Sequence, residues 1–561
     1  MWAIDLGTTN TGVARWDEAA GRPKMLELSR ICRRPGGEDH LEAPLLVPSS
    51  THALAPEGLA GRVGRWPFLE RRWFLGRQAL IGREALEANQ TEPRPCYAPS
   101  FKQHLMRSPL RTLARLGKEP LSARDVARRF VRELLWAIKE QTGERIRELV
   151  VTTPVEAYEG YRAEVSTIFR SLGVDKVRFL DEPVAAALGY GLGQKERRVA
   201  LVVDFGGGTL DVAAVALSPK GVAEGRAEVL GKEGRPIGGN VVDRWLLSEV
   251  ARRLGYPLPE AGAEEPFWMR MMLSETCRVK EALFFRESEL LVPTPPDELH
   301  RFEERIRGES QTLQLHREEL VSLLEAQGLY ETLDECVNGA LEQAASHGVT
   351  ERDVEDVLMV GGSTLLPMVY RRFEDRFGRD KVRAWQPFEA VAYGAAAFSA
   401  DAAQPSDFIV HDYAFVTHDL STHQKQYSVI VPRGTRFPTA DNFWRRQLVP
   451  TCSLGEPETM FKLVICEVGR DFDGDRRFAW DADGRLHKLG GQKGQGAPLV
   501  VPLNETNPTL GYLKPPHPPD DKRPRLEIAF GVNDDRWLCA TVYDLRTKRY
   551  MMREEPVVRL L

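Results

Sequence analysis

Val203-Asp204-Phe205-Gly206-Gly207-Gly208-Thr209-Leu210-Asp211-Val212 runs an apolar strand into a carboxylate, turns through three glycines and a threonine, and re-enters apolar sequence. The same order occurs at Ile4-Asp5-Leu6-Gly7-Thr8-Thr9-Asn10-Thr11-Gly12-Val13. Each stretch sets an Asp at a strand end, then glycine where a backbone without a Cβ can approach an anion, then hydroxyls able to donate to phosphate oxygens. Two such turns can grip one polyphosphate from opposite sides, without a Walker-type loop.

A second pair of segments extends the repeat. Leu149-Val150-Val151-Thr152-Thr153-Pro154 and Val357-Leu358-Met359-Val360-Gly361-Gly362-Ser363-Thr364 both read as an apolar strand closed by a polar turn. Asp5 and Asp204 stand 199 positions apart, and Val151 and Val360 stand 209 apart. The first 400 residues are therefore expected to be two copies of one α/β unit facing each other across a cleft. One glycine-rich turn is as often an ordinary tight turn; four in repeated order are not.

Working outward, the chain has 561 residues, 42% of them hydrophobic, and a net charge of −5, enough for two or three cores. Arg71-Arg72 and Arg128-Arg129 interrupt apolar patterns and read as solvated faces, with nucleic-acid contact as the alternative; no nucleic-acid partner is expected. The seven cysteines are scattered without a short pairing motif, which fits a reducing compartment and argues against a zinc site. Strand sequence begins at Trp2, leaving no space for a secretory leader, and Val199 to Leu217 is broken by Asp204, glycines and Asp211. A cytoplasmic protein without membrane attachment is the expectation.

Val126, Phe130, Leu134, Leu135 and Ile138 recur at helical spacing within Ser122 to Gln141 and predict an amphipathic helix on a sheet. Pro257 to Pro266 reads as a loop insertion, and Asp401-Ala402-Ala403-Gln404-Pro405-Ser406 as a linker. Beyond it the pattern becomes alternating, at Tyr427 to Val431, Phe461 to Cys466, Leu526 to Phe530, Leu538 to Tyr543 and Pro556 to Leu561. These runs predict a compact antiparallel β domain over 413–561. Asp471-Phe472-Asp473-Gly474-Asp475 has acidic spacing, but Ala482 stands where a calcium loop closes with Glu, so a β-turn is expected.

The phosphate turns, with Phe179-Leu180-Asp181-Glu182-Pro183-Val184-Ala185-Ala186-Ala187 and Val360-Gly361-Gly362-Ser363-Thr364-Leu365-Leu366-Pro367, resemble the nucleotide-binding domain of the seventy-kilodalton heat-shock chaperones of the DnaK type. That resemblance implies an actin-like ATPase domain of two duplicated RNase H-like halves over 1–400, a linker over 401–412 and a small β-rich substrate- or partner-binding domain over 413–561. It implies ATP or ADP with Mg²⁺ as ligands, and hydrolysis of ATP as the activity. The implied partners are unfolded peptide or a dedicated protein, with a J-domain co-chaperone and an exchange factor. No helical lid follows the last strand, so a lidless β domain is expected.

Phosphoryl transfer to water demands positioning and charge compensation. Asp5 and Asp204 are the candidates to hold Mg²⁺ through waters, and Gly7, Thr8, Thr9, Asn10, Gly206, Gly207, Gly208 and Thr209 to line the phosphates. The resemblance puts Lys102 at the family's catalytic lysine, with Glu182 or Asp204 orienting the attacking water. A surface lysine and a helix N-terminal carboxylate are the alternatives for Lys102 and Glu182. Pro154 and Arg162 match a pair that relays nucleotide state. Gly238, Gly239, Asp243 and Lys280 match adenosine contacts, and Gly361, Gly362 and Ser363 form the last turn of the site. The chain departs from the family at the base: Glu281 and Leu365 replace two stacking arginines, and Cys277 a ribose-contacting glutamate. Loss of those guanidinium contacts, each about 1 kcal/mol, predicts weaker nucleotide binding and relaxed adenine preference. A nucleotide-gated or catalytically weak scaffold is the competing function; a small-molecule kinase or a filament-forming relative fits less well.

Overall fold

Strands buried on both faces need cover on both sides, and the two strands that lead into the phosphate turns are of this kind. Trp2–Leu6 and Arg198–Phe205 are almost wholly buried. The computed structural model describes the chain except residues 34–44, 56–75, 92–94, 155–158, 193–195, 256–266, 293–311, 401–408, 410–411, 419–424, 433–434, 453–455, 470–476, 482–484, 490–498, 505–507, 534–535 and 561. The loop expected at Pro257 to Pro266, the linker at Asp401 to Ser406 and the Asp471 to Asp475 turn lie outside the described residues.

In one sheet Arg22–Met25, Asn10–Asp17, Trp2–Leu6, Glu148–Thr153 and Lys176–Asp181 lie side by side in that order. In a second, Glu228–Arg235, Leu210–Leu217, Arg198–Phe205 and Asp356–Val360 repeat the first four places. The pairing senses match: antiparallel through each hairpin, then parallel to the strand that arrives later in sequence. A parallel partner requires a crossover, and the helix Ala123–Thr142 supplies part of it. Ser122 is its N-cap rather than its first residue: Ser122 and Asp125 form a reciprocal capping box, and Gly143 closes the helix at φ 72°.

Two further helices, Glu182–Gly189 and Ala390–Ser399, cross at their smallest residues. A Cβ on Gly394 would lie 1.8 Å from the Ala185 carbonyl oxygen, and one on Gly189 equally close to that of Ala390. This close approach fixes the helix that starts at Glu182.

The chain divides into two compact units, the first comprising Met1–Tyr190, Gln194–Arg372 and Gln386–Gln404, the second Gly191–Gly193, Phe373–Trp385 and Pro405–Leu561. The second unit carries two four-stranded sheets. One orders Lys425–Val431, Asp412–His418, Ile465–Gly469 and Leu499–Pro502; the other Trp444–Leu448, Leu526–Val532, Trp537–Asp544 and Arg549–Arg559. Phe415 of the first meets Trp444 and Phe530 of the second at ring-centroid distances of 6.4 and 5.5 Å, which places an aromatic core between the sheets.

One expected strand, Phe461 to Cys466, is two strands in different sheets, Glu458–Leu463 and Ile465–Gly469. The break is stabilised by a buried side chain: Asn504 Nδ2 donates to the Leu463 carbonyl, and Asn504 Oδ1 accepts from the Ile465 N–H, both at 2.9 Å. The amide satisfies the backbone groups that a strand partner otherwise takes. The seven cysteines are free thiols. Among the described residues no helix is long and apolar enough to cross a membrane.

Candidate functional site

Strand register alone brings the two carboxylates to the cleft. Ile4 pairs with Val151 in the parallel ladder, so Asp5 stands beside Thr152, whose hydroxyl donates to Asp5 Oδ1 at 2.6 Å. In the second sheet Asp204 pairs with Val360 on one side and Asp211 on the other. A cavity of about 470 Å³, within the range of small-molecule sites, opens between these strand ends.

The first turn supplies Gly7, Thr8, Thr9 and Asn10 to its lining; the second supplies Gly206, Gly207, Gly208 and Thr209. Gly361 and Gly362 close the far side. Lys102, Glu182, Asp5 and Asp204 also line it, so the structure gathers these sequence-selected residues around one cavity. Pro154 belongs to the same wall.

Backbone contacts make the second turn rigid. Gly361 has φ 86°, and a Cβ there would lie 2.4 Å from the Phe205 carbonyl oxygen, so only glycine lets this turn sit on the end of the Asp204 strand. Ser363 Oγ donates to the Gly206 carbonyl at 2.8 Å, and a Cβ on Gly238 would lie 2.5 Å from the Gly207 carbonyl carbon. Gly238, Gly239, Ser363 and Lys280 thus form a layer behind the glycine turn. Lys280 is 5% exposed and pairs with Asp243 at 2.7 Å.

The electrostatic centre is an ion pair of a buried ammonium with a partly exposed carboxylate. Lys102 Nζ donates to Glu182 Oε1 at 2.6 Å, and Lys102 is 6% exposed, which removes the surface-lysine alternative. Burial opposes its charge, but Glu182, the Tyr161 phenol and Asp5 outweigh that penalty and hold the ammonium above its usual range. Burial, reinforced by Glu182, pushes the Asp5 carboxyl up to about 6. Asp204 is raised well above the ordinary carboxylate range, first by burial, then by Glu182 and Asp211.

This donor set fits a hard divalent cation. Two carboxylates line one cavity where burial disfavours both charges, and Asn10 Oδ1 is buried at the cavity with no partner among the described residues. Among the described residues there is no cluster of three or more His, Cys, Asp or Glu side chains. Two carboxylates with retained waters and phosphate oxygens is the habit of magnesium.

Three participants escaped the sequence reading. Thr152 follows from aligning two apolar strands in parallel, and Asp211 from folding the hairpin about its glycines. Tyr161 carries no sequence signal; helix packing alone brings it near Lys102. Its neighbour Arg162 donates to Asp181 Oδ1 at 2.7 Å, while Asp181 Oδ2 accepts from the Ala227 N–H at 3.2 Å. Asp181 therefore ties the Arg162 helix, the Glu182 helix and a turn before the Glu228–Arg235 strand.

At the nucleoside end, Leu365 is 1% exposed, and Glu281 accepts from the Cys277 thiol at 3.7 Å and faces Arg33 at 3.9 Å. Burial, with Glu281 next, raises the Cys277 thiol far above its usual range.

Duplicated sheets, facing phosphate turns and paired strand-end carboxylates define an actin-like nucleotide-binding domain, here followed by an antiparallel β domain. The Hsp70 protein family model matches residues 75–460, more than half of the chain, and the chain belongs to that family of nucleotide-binding chaperones. It is similar to the chaperone protein DnaK of Thermus thermophilus, at 26% identity over 457 residues, covering 78% of this chain and 66% of that protein. The similarity to the chaperone protein DnaK of Thermotoga maritima is 25% over 473 residues, or 80% of this chain and 70% of that one.

Proposed function

We propose that the chain hydrolyses ATP and uses the nucleotide state to control its β domain, which binds unfolded peptide or a dedicated protein. The observation that carries this reading is the Lys102–Glu182 pair, its ammonium buried, set beside Asp5 and Asp204 between two glycine and hydroxyl turns. Lys102 compensates charge at the transferring phosphoryl group, and Glu182 orients the attacking water. Thr8, Thr9, Gly206, Gly207, Gly208 and Thr209 hold phosphate oxygens through hydroxyls and backbone N–H groups. Asp5 and Asp204 would hold Mg²⁺ through waters, and that cation supplies neutralisation of phosphate charge. Gly238, Gly239, Lys280, Gly361, Gly362 and Ser363 shape the nucleoside side of the site. A J-domain protein and an exchange factor are the accompanying partners, and free thiols suit a reducing, cytoplasmic setting.

A catalytically weak scaffold is the second reading, favoured by Glu281 and the buried Leu365 at the base end. Single-turnover hydrolysis with Mg²⁺ and ATP separates the two. The expectation is measurable turnover, stimulated by an unfolded peptide, and a fall of about 10²–10³-fold in Lys102→Ala and Asp204→Asn with the fold intact by circular dichroism. Wild-type turnover no faster than that of Lys102→Ala would leave the scaffold.

A further inference from the structure

We propose that Tyr161 is a positioning residue for hydrolysis: its hydroxyl is the donor that Glu182 takes up when the Lys102 ammonium turns toward the phosphates. The proposal rests on the ATPase reading above. Tyr161 stands in the first turn of the helix Glu159–Ser171 and is 2% exposed. Its ring belongs to one core cluster with Phe101, Leu105 and Phe130. The next residue, Arg162, grips Asp181, the residue before Glu182, so the start of this helix is tied to the start of the Glu182 helix.

The hydroxyl itself is buried and has no hydrogen-bond partner among the described residues. A buried unpartnered hydroxyl destabilises the fold, a penalty that Phe at the same place would avoid. The helix that carries Tyr161 packs on the helix that Lys102 begins, and the Arg162–Asp181 bond ties its start to the residue before Glu182; the phenol is also electrostatically coupled to Lys102, Glu182 and Asp5. Among the described residues Lys102 is the hydrogen-bond donor that Glu182 has.

An anionic phosphate in the cavity competes for that ammonium. When Lys102 turns to it, Glu182, whose side chain is 20% exposed, is left without a protein donor among the described residues, near two carboxylates that burial already disfavours. The unspent O–H of Tyr161 fills the gap. It keeps Glu182 aimed while Lys102 works on the phosphoryl group, without moving a proton.

Tyr161→Phe keeps the ring and removes the donor. The expected result is a single-turnover rate about tenfold below wild type, with ATP affinity unchanged and a melting temperature equal to or above wild type. In a Glu182→Gln background the same change should have no further effect, because the hydroxyl acts through that carboxylate. Wild-type turnover by Tyr161→Phe overturns the proposal and leaves the ATPase reading standing. A slower rate with a lowered melting temperature, additive with Glu182→Gln, overturns it in favour of a packing role. Absence of wild-type turnover above Lys102→Ala removes the ATPase reading and this proposal together.

Discussion

At the scale of single residues, the phosphate end and the nucleoside end of the site follow opposite rules. Around Lys102, Asp5 and Asp204, burial disfavours each charge, the ammonium is held by its carboxylate neighbours, and a bound cation would favour the ionised carboxylates. At the base end, Glu281 sets a carboxylate where a cation is favourable, while Arg33 faces it at 3.9 Å from a side chain 40% exposed. Restoring arginine at both departures is not an equal change. Leu365 is buried, so Leu365→Arg would force a guanidinium into the core, a penalty of several kcal/mol. Glu281→Arg is the informative variant, expected to tighten ATP and ADP binding by about 1 kcal/mol, several-fold in Kd. Calorimetry giving unchanged or weaker affinity in a folded variant would remove the stacking explanation. The carboxylates and glycines of this site were legible in the sequence because each needs a particular residue type at a strand end. Tyr161 was not, because a phenol on an amphipathic helix reads as core until its neighbours are known.

At the scale of elements, turns that seem loosely specified are held by single buried polar groups. In the β domain, Arg525 and Asp544 are almost fully buried and pair at 3.2 Å, and Asp544 Oδ1 also accepts from the Arg546 and Thr547 N–H groups. Burial works against the Asp544 charge, yet Arg525 and those two N–H groups hold its carboxyl below the usual range. A lowered folded value means that this stabilisation is present above the unfolded value near 4 and is lost as pH falls through the folded one. Asp544→Asn should therefore cost about 3 kcal/mol at pH 7 by chemical denaturation, and the gap to wild type should close as pH falls below about 4. A gap that is constant with pH would mean that the carboxylate charge contributes nothing. Asn504 makes the same point about legibility. Phe461 to Cys466 reads as one strand because only Lys462 interrupts its apolar side chains, whereas the break at Val464 is set by an amide arriving from 39 residues beyond Ile465.

For the whole molecule, the proposed control of the β domain by nucleotide can be tested at Ile409. Phe408-Ile409-Val410 is an apolar run at the end of the linker, as a docking element would be; Phe408 and Val410 lie outside the described residues. Ile409 itself is fully buried, and its N–H donates to the Thr435 carbonyl at 2.8 Å, both within the second unit. A segment that serves both as strand anchor and as docking element must exchange one set of partners for the other. Hydrogen exchange should then show the Ile409 amide losing protection when ATP is added to the full chain. Identical protection with and without ATP would make Ile409 a structural anchor alone, and Ile409→Ser would then destabilise the β domain by about 3 kcal/mol without touching hydrolysis.

The sequence by itself determined the duplicated architecture, the two phosphate turns and the carboxylates at their strand ends. Glycine, Asp and Thr at turns are local requirements, and apolar runs of fixed length report strands whatever they pair with. Tertiary structure alone decided which side chains share the cavity's electrostatics. The 2.6 Å contact of Lys102 with Glu182, the approach of Tyr161 to both, and the Arg162–Asp181 tie join positions as far apart in sequence as 80 residues. Those pairings depend on helix packing and on the loss of water around charges. Neither quantity is carried by any short stretch of chain.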